Sequence, residues 1–79
     1  MSPGVETAAS TDKLVEPLTR KEIQVLQLAA DGHSNASMAS RLNLSDSTVR
    51  THLRNINSKL SAHSRAEAVA IARRLAIIP

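Results

Sequence analysis

The chain has 79 residues, which suits one small domain with a thin core. It has no cysteine and no aromatic residue, which excludes disulfides and thiolate metal ligands and leaves the core to Leu, Ile, Val, Ala and Met. The formal net charge of +3 is a modest excess, by itself a weak pointer to nucleic acid.

Residues 1–17 carry Pro3, Gly4 and several Ser and Thr among few apolar residues, and read as a flexible linker or tail. No basic segment followed by an apolar stretch marks a signal peptide. No apolar run approaches the roughly 18 residues of a membrane span. A soluble, cytoplasmic protein is the expectation.

Four helical segments are predicted after the tail. Thr19-Arg20-Lys21-Glu22 has the form of a capping box, in which hydroxyl and carboxylate each accept a backbone N–H. Ile23, Leu26 and Ala30, with Val25 and Ala29 beside them, form the apolar face of the first helix. Gly32 is placed to end it, because glycine accepts a left-handed stop. Ser34 is placed to cap a second, short helix holding Met38, Ala39 and Leu42. Asn43, which tolerates the left-handed region, predicts a tight turn.

Ser45 is placed to cap the third helix, Asp46 to Leu60, and Asp46 suits the positive end of its dipole. At about 100° per residue, Val49, Leu53, Ile56 and Leu60 share an arc of about 60°. Ser47, Arg50, Thr51, Arg54 and Ser58 occupy the far side. There is no acidic residue from Ser47 to Ala66, whereas Glu6, Asp12, Glu16, Glu22, Asp31 and Asp46 all precede that stretch. An ordinary solvated helix face commonly mixes signs in i, i+4 pairs, and this one does not. A helix with one aliphatic stripe and one cationic, hydroxylic face fits the DNA major groove. Arg50 and Arg54, one turn apart, both reach such a groove. Ser47, Thr48 and Ser58 are short polar groups suited to phosphates. The preceding short helix and turn complete the helix-turn-helix pattern.

After a short break at Ser61 to His63, Ser64-Arg65-Ala66-Glu67 has the form of a second capping box and opens a fourth helix to about Leu75. Its apolar residues Ala68, Val69, Ile71, Ala72, Leu75 and Ala76 span about 160°, wider than the roughly 100° stripe a small domain needs. Two readings stand: a dimer interface formed by Ala68, Val69, Ile71, Ala72 and Leu75, matching a two-fold-symmetric operator, or a helix that closes its own core.

His33, His52 and His63 share no metal-ligand spacing, so no metal is expected. The serines sit at helix starts, where capping explains them, and phosphate-binding glycine motifs are missing. Neither catalysis, nor a cofactor, nor a small-molecule ligand is expected of this domain.

Leu18-Thr19-Arg20-Lys21-Glu22-Ile23, Ala30-Asp31-Gly32, Ser34-Asn35, Ala39 with Leu42, Leu44-Ser45, Thr48-Val49-Arg50-Thr51-His52, Lys59-Leu60 and Ser64-Arg65-Ala66-Glu67-Ala68-Val69 form an ordered series. That series resembles the LuxR/GerE-type DNA-binding domain, over roughly Leu18 to Leu75 of the expected domain at 18–79. Within that family it resembles domains attached to response-regulator receivers or to large MalT-like regulators. The resemblance implies an all-α, four-helix bundle containing a helix-turn-helix, with the third helix in the major groove and the fourth pairing two protomers. Carried over by position, it implies base contacts from Arg50, Thr51 and Arg54. It places Asn35, Thr48, His52 and Lys59 near the backbone phosphates or bracing the helix there. It implies that Glu22 and Arg65 are structural, as a polar tie between helices.

The chain departs from the family pattern in two places. Ala36-Ser37-Met38 stands where Lys-Glu-Ile is usual, which removes a basic phosphate contact and an acidic partner. Arg50 replaces the commoner Lys, exchanging a point charge for a bidentate fork. The expected partner is double-stranded DNA, with RNA polymerase a further candidate. The alternatives are a sigma-factor-like promoter-reading domain, which the segment from Ser64 to Ala72 disfavours, and a basic protein-interaction module. The input signal calls for a sensing or receiver domain, so an excised C-terminal effector domain is expected in preference to a stand-alone effector.

Overall fold

Thr19 sets where the first helix begins. In the computed structural model, which describes residues 17–79, its hydroxyl accepts the Glu22 N–H at 3.1 Å while the Glu22 carboxylate accepts the Thr19 N–H at 2.9 Å. The helix that follows, α1, spans Arg20–Ala30. The expected tail at 1–17 lies outside the described residues except for Pro17, which is exposed. At Gly32 the chain turns through φ 92°, in the region where only glycine is unstrained, and the His33 N–H returns to the Leu28 carbonyl. A Cβ there meets nothing within 4 Å, so the requirement is conformational and not steric.

Ser34 caps α2, Asn35–Leu42, by accepting the Ser37 N–H. Asn43 takes φ 59° and sends the Leu44 N–H back to the Ala39 carbonyl at 2.8 Å, giving the expected tight turn. Ser45 then caps α3, Asp46–Leu60. A second left-handed residue, Ser61 at φ 55°, stops α3, and the Ala62 N–H bonds the Asn57 carbonyl.

The last helix, α4, spans Arg65–Arg74, with Leu75 as its cap residue rather than its last turn. Its start corrects the sequence reading. Ser64 does accept the Glu67 N–H, but Glu67 reaches back to the His63 N–H at 2.6 Å instead of to Ser64. The capping box is therefore half formed, and its other half fixes the loop one residue earlier. Ala76, at φ 60°, folds the chain back so that the Ile77 N–H bonds the Ala72 carbonyl and Ile78 is buried.

The described residues form an all-α domain in which α3 packs against each of the other three helices. Val25 and Leu26 of α1, Met38 of α2, and Val49, Ile56 and Leu60 of α3 are the largest fully buried side chains. Burial of each such side chain contributes about 1.5–3 kcal/mol, before the entropy of ordering the chain is set against it. Leu53 is only half-buried and lies at the margin of this core, as does Leu42. Because α3 is buried on one side by three helices, its opposite side is fixed in orientation.

Candidate nucleic-acid interface

The orientation of α3 follows from its aliphatic stripe. With Val49, Ile56 and Leu60 buried, Ser47, Arg50, Thr51, Arg54 and Ser58 are all exposed on the other side. Thr48 and His52 are half-buried at the flank between the two faces. Asn55 is exposed as well, beside Thr51 on the helix surface, and the sequence reading missed it. Its place one turn after Thr51 is legible in the sequence.

At the start of α3 three hydroxyls gather. Ser45 Oγ donates to Thr48 Oγ1 at 2.8 Å, lies 3.2 Å from Ser47 Oγ, and accepts the Thr48 N–H. Arg50 and Arg54 take part in no ion pair among the described residues. Two guanidinium groups and a cluster of hydroxyls therefore face solvent, with Asp46 in the first turn the one acid of α3. Such a surface attracts polyanions and offers forked donors to base edges.

Two of the residues expected near the backbone are engaged inside the fold. Lys59 Nζ donates to Glu22 Oε1 at 2.8 Å, with side-chain exposures of 24% and 5%. Burial alone raises the Glu22 pKa. The Lys59 hydrogen bond, the Thr19 N–H and the Lys59 charge together outweigh burial and hold the carboxyl below its ordinary value of 4.5. Asn35 Oδ1 accepts from Arg65 Nη2, and Arg65 Nη1 donates to the His33 carbonyl at 3.2 Å. Glu22 and Arg65 thus do not meet. Each ties a different pair of helices, α1 to α3 and α4 to the start of α2. At Ser37, where the family pattern has an acid, the hydroxyl pairs with His33 Nδ1 at 2.9 Å. His52 Nδ1 is turned inward and bonds no group among the described residues.

The fourth helix divides the residues expected at a dimer interface. Ala68 and Ala72 are at most 1% exposed and Val69 is 9% exposed, all within the chain's own core. Side chains packed in this way fit the reading in which the helix closes its own core, and leave little surface for a partner. Ile71 is half-buried, and Leu75, 47% exposed, is the exposed large hydrophobic among the described residues.

No described helix is long and apolar enough to cross a membrane. No three His, Asp or Glu side chains are gathered among the described residues as a metal needs.

Comparison with known proteins meets this geometry. Residues 16–72 match the family described as bacterial regulatory proteins, luxR family. The chain is 42% identical over 67 residues to the uncharacterized transcriptional regulatory protein YxjL of Bacillus subtilis (strain 168), covering 85% of this chain and 31% of that protein. It is 46% identical over 59 residues to the HTH-type transcriptional regulator MalT of Yersinia pestis (strain Pestoides F), covering 75% of this chain and 6% of MalT. The chain therefore spans less than a third of these relatives. The structure of the transcription factor GerE matches with a TM-score of 0.72 and 32% identity over 75% of this chain and 88% of GerE. The response regulator ChrA of a heme-sensing two-component system matches with a TM-score of 0.77 and 36% identity over 99% of this chain and 40% of ChrA. Family and fold agree, and neither is that of an enzyme: the chain belongs to the luxR family of bacterial regulatory proteins, as a DNA-binding regulatory domain.

Proposed function

We propose that the domain reads base sequence by laying α3 in the major groove, with Arg50, Thr51 and Arg54 on base edges. The observation that supports this is the exposed face of α3, which carries no acid after Asp46 in its first turn and is held outward by the burial of Val49, Ile56 and Leu60. An Arg fork matches the two acceptors of guanine, and a Thr methyl matches the thymine methyl. Ser47, Thr48, Ser58, His52 and Asn35 take the sugar-phosphate backbone, which sets register without reading sequence. Lys59, with its charge held by Glu22, steadies the last turn of α3 and gives a phosphate less than a full charge.

Two protomers bind a two-fold-symmetric operator, meeting through the outer face of α4 at Leu75 and Ile71. The area exposed there is small, so the isolated domain is monomeric in solution and pairs on DNA. The domain is the effector end of a longer cytoplasmic regulator of the response-regulator or MalT kind, whose other domains receive the signal. RNA polymerase is a further partner of that assembly.

Selection from a randomised duplex pool tests the reading, followed by titration of the enriched duplex and a scrambled one at two salt concentrations. Enrichment of a symmetric site that binds far more tightly than the scramble at equal salt supports it. Equal, steeply salt-dependent affinity for both duplexes refutes base reading and leaves a generic basic surface for an acidic partner.

A further inference from the structure

We infer that Arg65 is a positioning residue for DNA binding: its guanidinium fixes the Asn35 side-chain amide so that the amide nitrogen is left as a donor to a backbone phosphate. This rests on the DNA-bound orientation proposed above and adds to it a residue outside the helix-turn-helix.

The chemistry of the contact decides which end of the amide is free. An arginine side chain has only donors, so the atom it holds must be the amide oxygen. Arg65 Nη2 does hold Asn35 Oδ1, and Nη1 is anchored at the same time on the His33 carbonyl. A planar fork fastened at two points cannot rotate without losing one of them. Asn35 Nδ2 then carries two N–H groups that take no acceptor among the described residues, on a side chain that is half-buried and not sealed from solvent. Without the guanidinium the amide is free to turn either end outward, and the oxygen end repels a phosphate.

Charge points the same way. Arg65 has no carboxylate partner among the described residues, so its positive charge stands uncompensated beside the Asn35 amide. That charge polarises the amide it binds and favours an anion on the far side of it. Asn35 is the first residue of α2, and the first helix of a helix-turn-helix lies across the DNA backbone. Arg65 is the first residue of α4. The same guanidinium thus links the helix proposed to pair protomers with the residue proposed to hold a phosphate.

A thermodynamic cycle on the full chain tests this, using the duplex enriched from the randomised pool and a scrambled duplex. The variants are Asn35→Ala, Arg65→Ala, the double variant, and Asn35→Asp. Circular dichroism establishes that each is folded at the temperature of titration. Asn35→Ala and Arg65→Ala are each expected to weaken both duplexes by roughly 3- to 10-fold, the loss of one hydrogen bond, with base preference unchanged. In the Asn35→Ala background, removal of Arg65 is expected to cost little more, because its effect runs through that amide. Asn35→Asp keeps an acceptor for Arg65 and so keeps the fold, but its carboxylate replaces the donor and is expected to lose more than Asn35→Ala.

Equal losses on removing Arg65 in both backgrounds would overturn the inference, and would make Arg65 a direct phosphate ligand or a purely structural tie. Wild-type affinity in Asn35→Asp would overturn it as well. If Arg65→Ala fails to fold, Arg65→Lys enters the same cycle, keeping the charge and losing the fork. A wild-type chain that binds enriched and scrambled duplexes alike refutes base reading itself, a failure distinguishable from additive losses in a chain that does discriminate.

Discussion

The Lys59 ammonium, in the last turn of α3, lies 2.8 Å from Oε1 of Glu22, in the first turn of α1. The same oxygen accepts the Thr19 N–H, so one buried carboxylate both starts α1 and anchors the far end of α3. Because these bonds hold the Glu22 pKa below its ordinary value, the ionised form is the one the fold favours. A depressed folded pKa contributes stability that is present above the unfolded pKa and is lost as pH falls through the folded one. Wild type is therefore expected to exceed Glu22→Gln in melting temperature at neutral pH. That difference is expected to shrink below about pH 4.5, the ordinary glutamate value, as the carboxyl protonates. A difference that stays constant down to pH 3 would remove the ionised carboxylate from the account.

Lys59→Met leaves the Glu22 carboxylate without its cation and is expected to cost about 1–3 kcal/mol of stability. A free lysine on a phosphate contributes about 0.9 to the slope of log affinity against log salt. With its charge already neutralised by Glu22, Lys59 is expected to contribute well under that. Titration of the folded variant over a range of salt concentrations measures it, and a loss of the full slope would place Lys59 on the DNA.

Ala76 sits at φ 60° where a side chain is disfavoured, yet the turn there is what returns Ile78 to the core. The left-handed conformation costs a non-glycine residue about 1–2 kcal/mol, and glycine loses some of that advantage through a freer unfolded chain. Ala76→Gly is expected to stabilise the domain by about 0.5–1 kcal/mol net, a rise of a few degrees in melting temperature. Thermal unfolding followed by circular dichroism checks it, and an unchanged or lowered midpoint would mean that the turn is not formed in solution.

What the sequence made legible was what is local. Thr19 with Glu22, Ser34, Asn43 and Ser45 mark their helix ends through bonds to groups no more than five residues away, and the structure has each of them. The stripe of α3 was legible because Val49, Ile56 and Leu60 recur at helical spacing. The ties that were not legible join distant residues: Glu22 to Lys59, and Asn35 to Arg65. Neither residue type nor spacing specifies such a pair until the helices are packed. The break at Ser61 was legible, but the left-handed conformation of Ser61 and Ala76 was not, because neither residue type favours it. The broad apolar arc of α4 left two readings open in the sequence, a dimer interface or a helix closing its own core. Only the folded chain divides it into an inner part, Ala68, Val69 and Ala72, and an outer part at Leu75.

Arg54 is exposed on α3 with no acidic partner, so its substitution tests reading rather than folding. Arg54→Ala is expected to weaken the enriched duplex by about 1–3 kcal/mol and to relax preference at one base position. Melting temperature is expected to stay near wild type. Repeating the duplex selection with the variant checks the base position directly. Uniform weakening of enriched and scrambled duplexes would move Arg54 from the base edges to the backbone.

The division of α4 gives a paired test of the dimer. Val69 is 9% exposed within the core and Leu75 is 47% exposed outside it. Val69→Asp buries a charge with no partner and is expected to unfold the domain, by a cost of several kcal/mol against a small total stability. Leu75→Glu places its charge in water and is expected to leave the fold intact. On a duplex carrying two half-sites, wild type is expected to bind as two protomers with cooperative saturation. Leu75→Glu is expected to fill the same half-sites independently, because the proposed pairing would set like charges against each other. Sedimentation of each complex gives the number of protomers, and titration against single and double half-sites gives the coupling. Undiminished cooperativity in Leu75→Glu would take the interface away from α4, and one protomer at saturation in wild type would remove the dimer altogether.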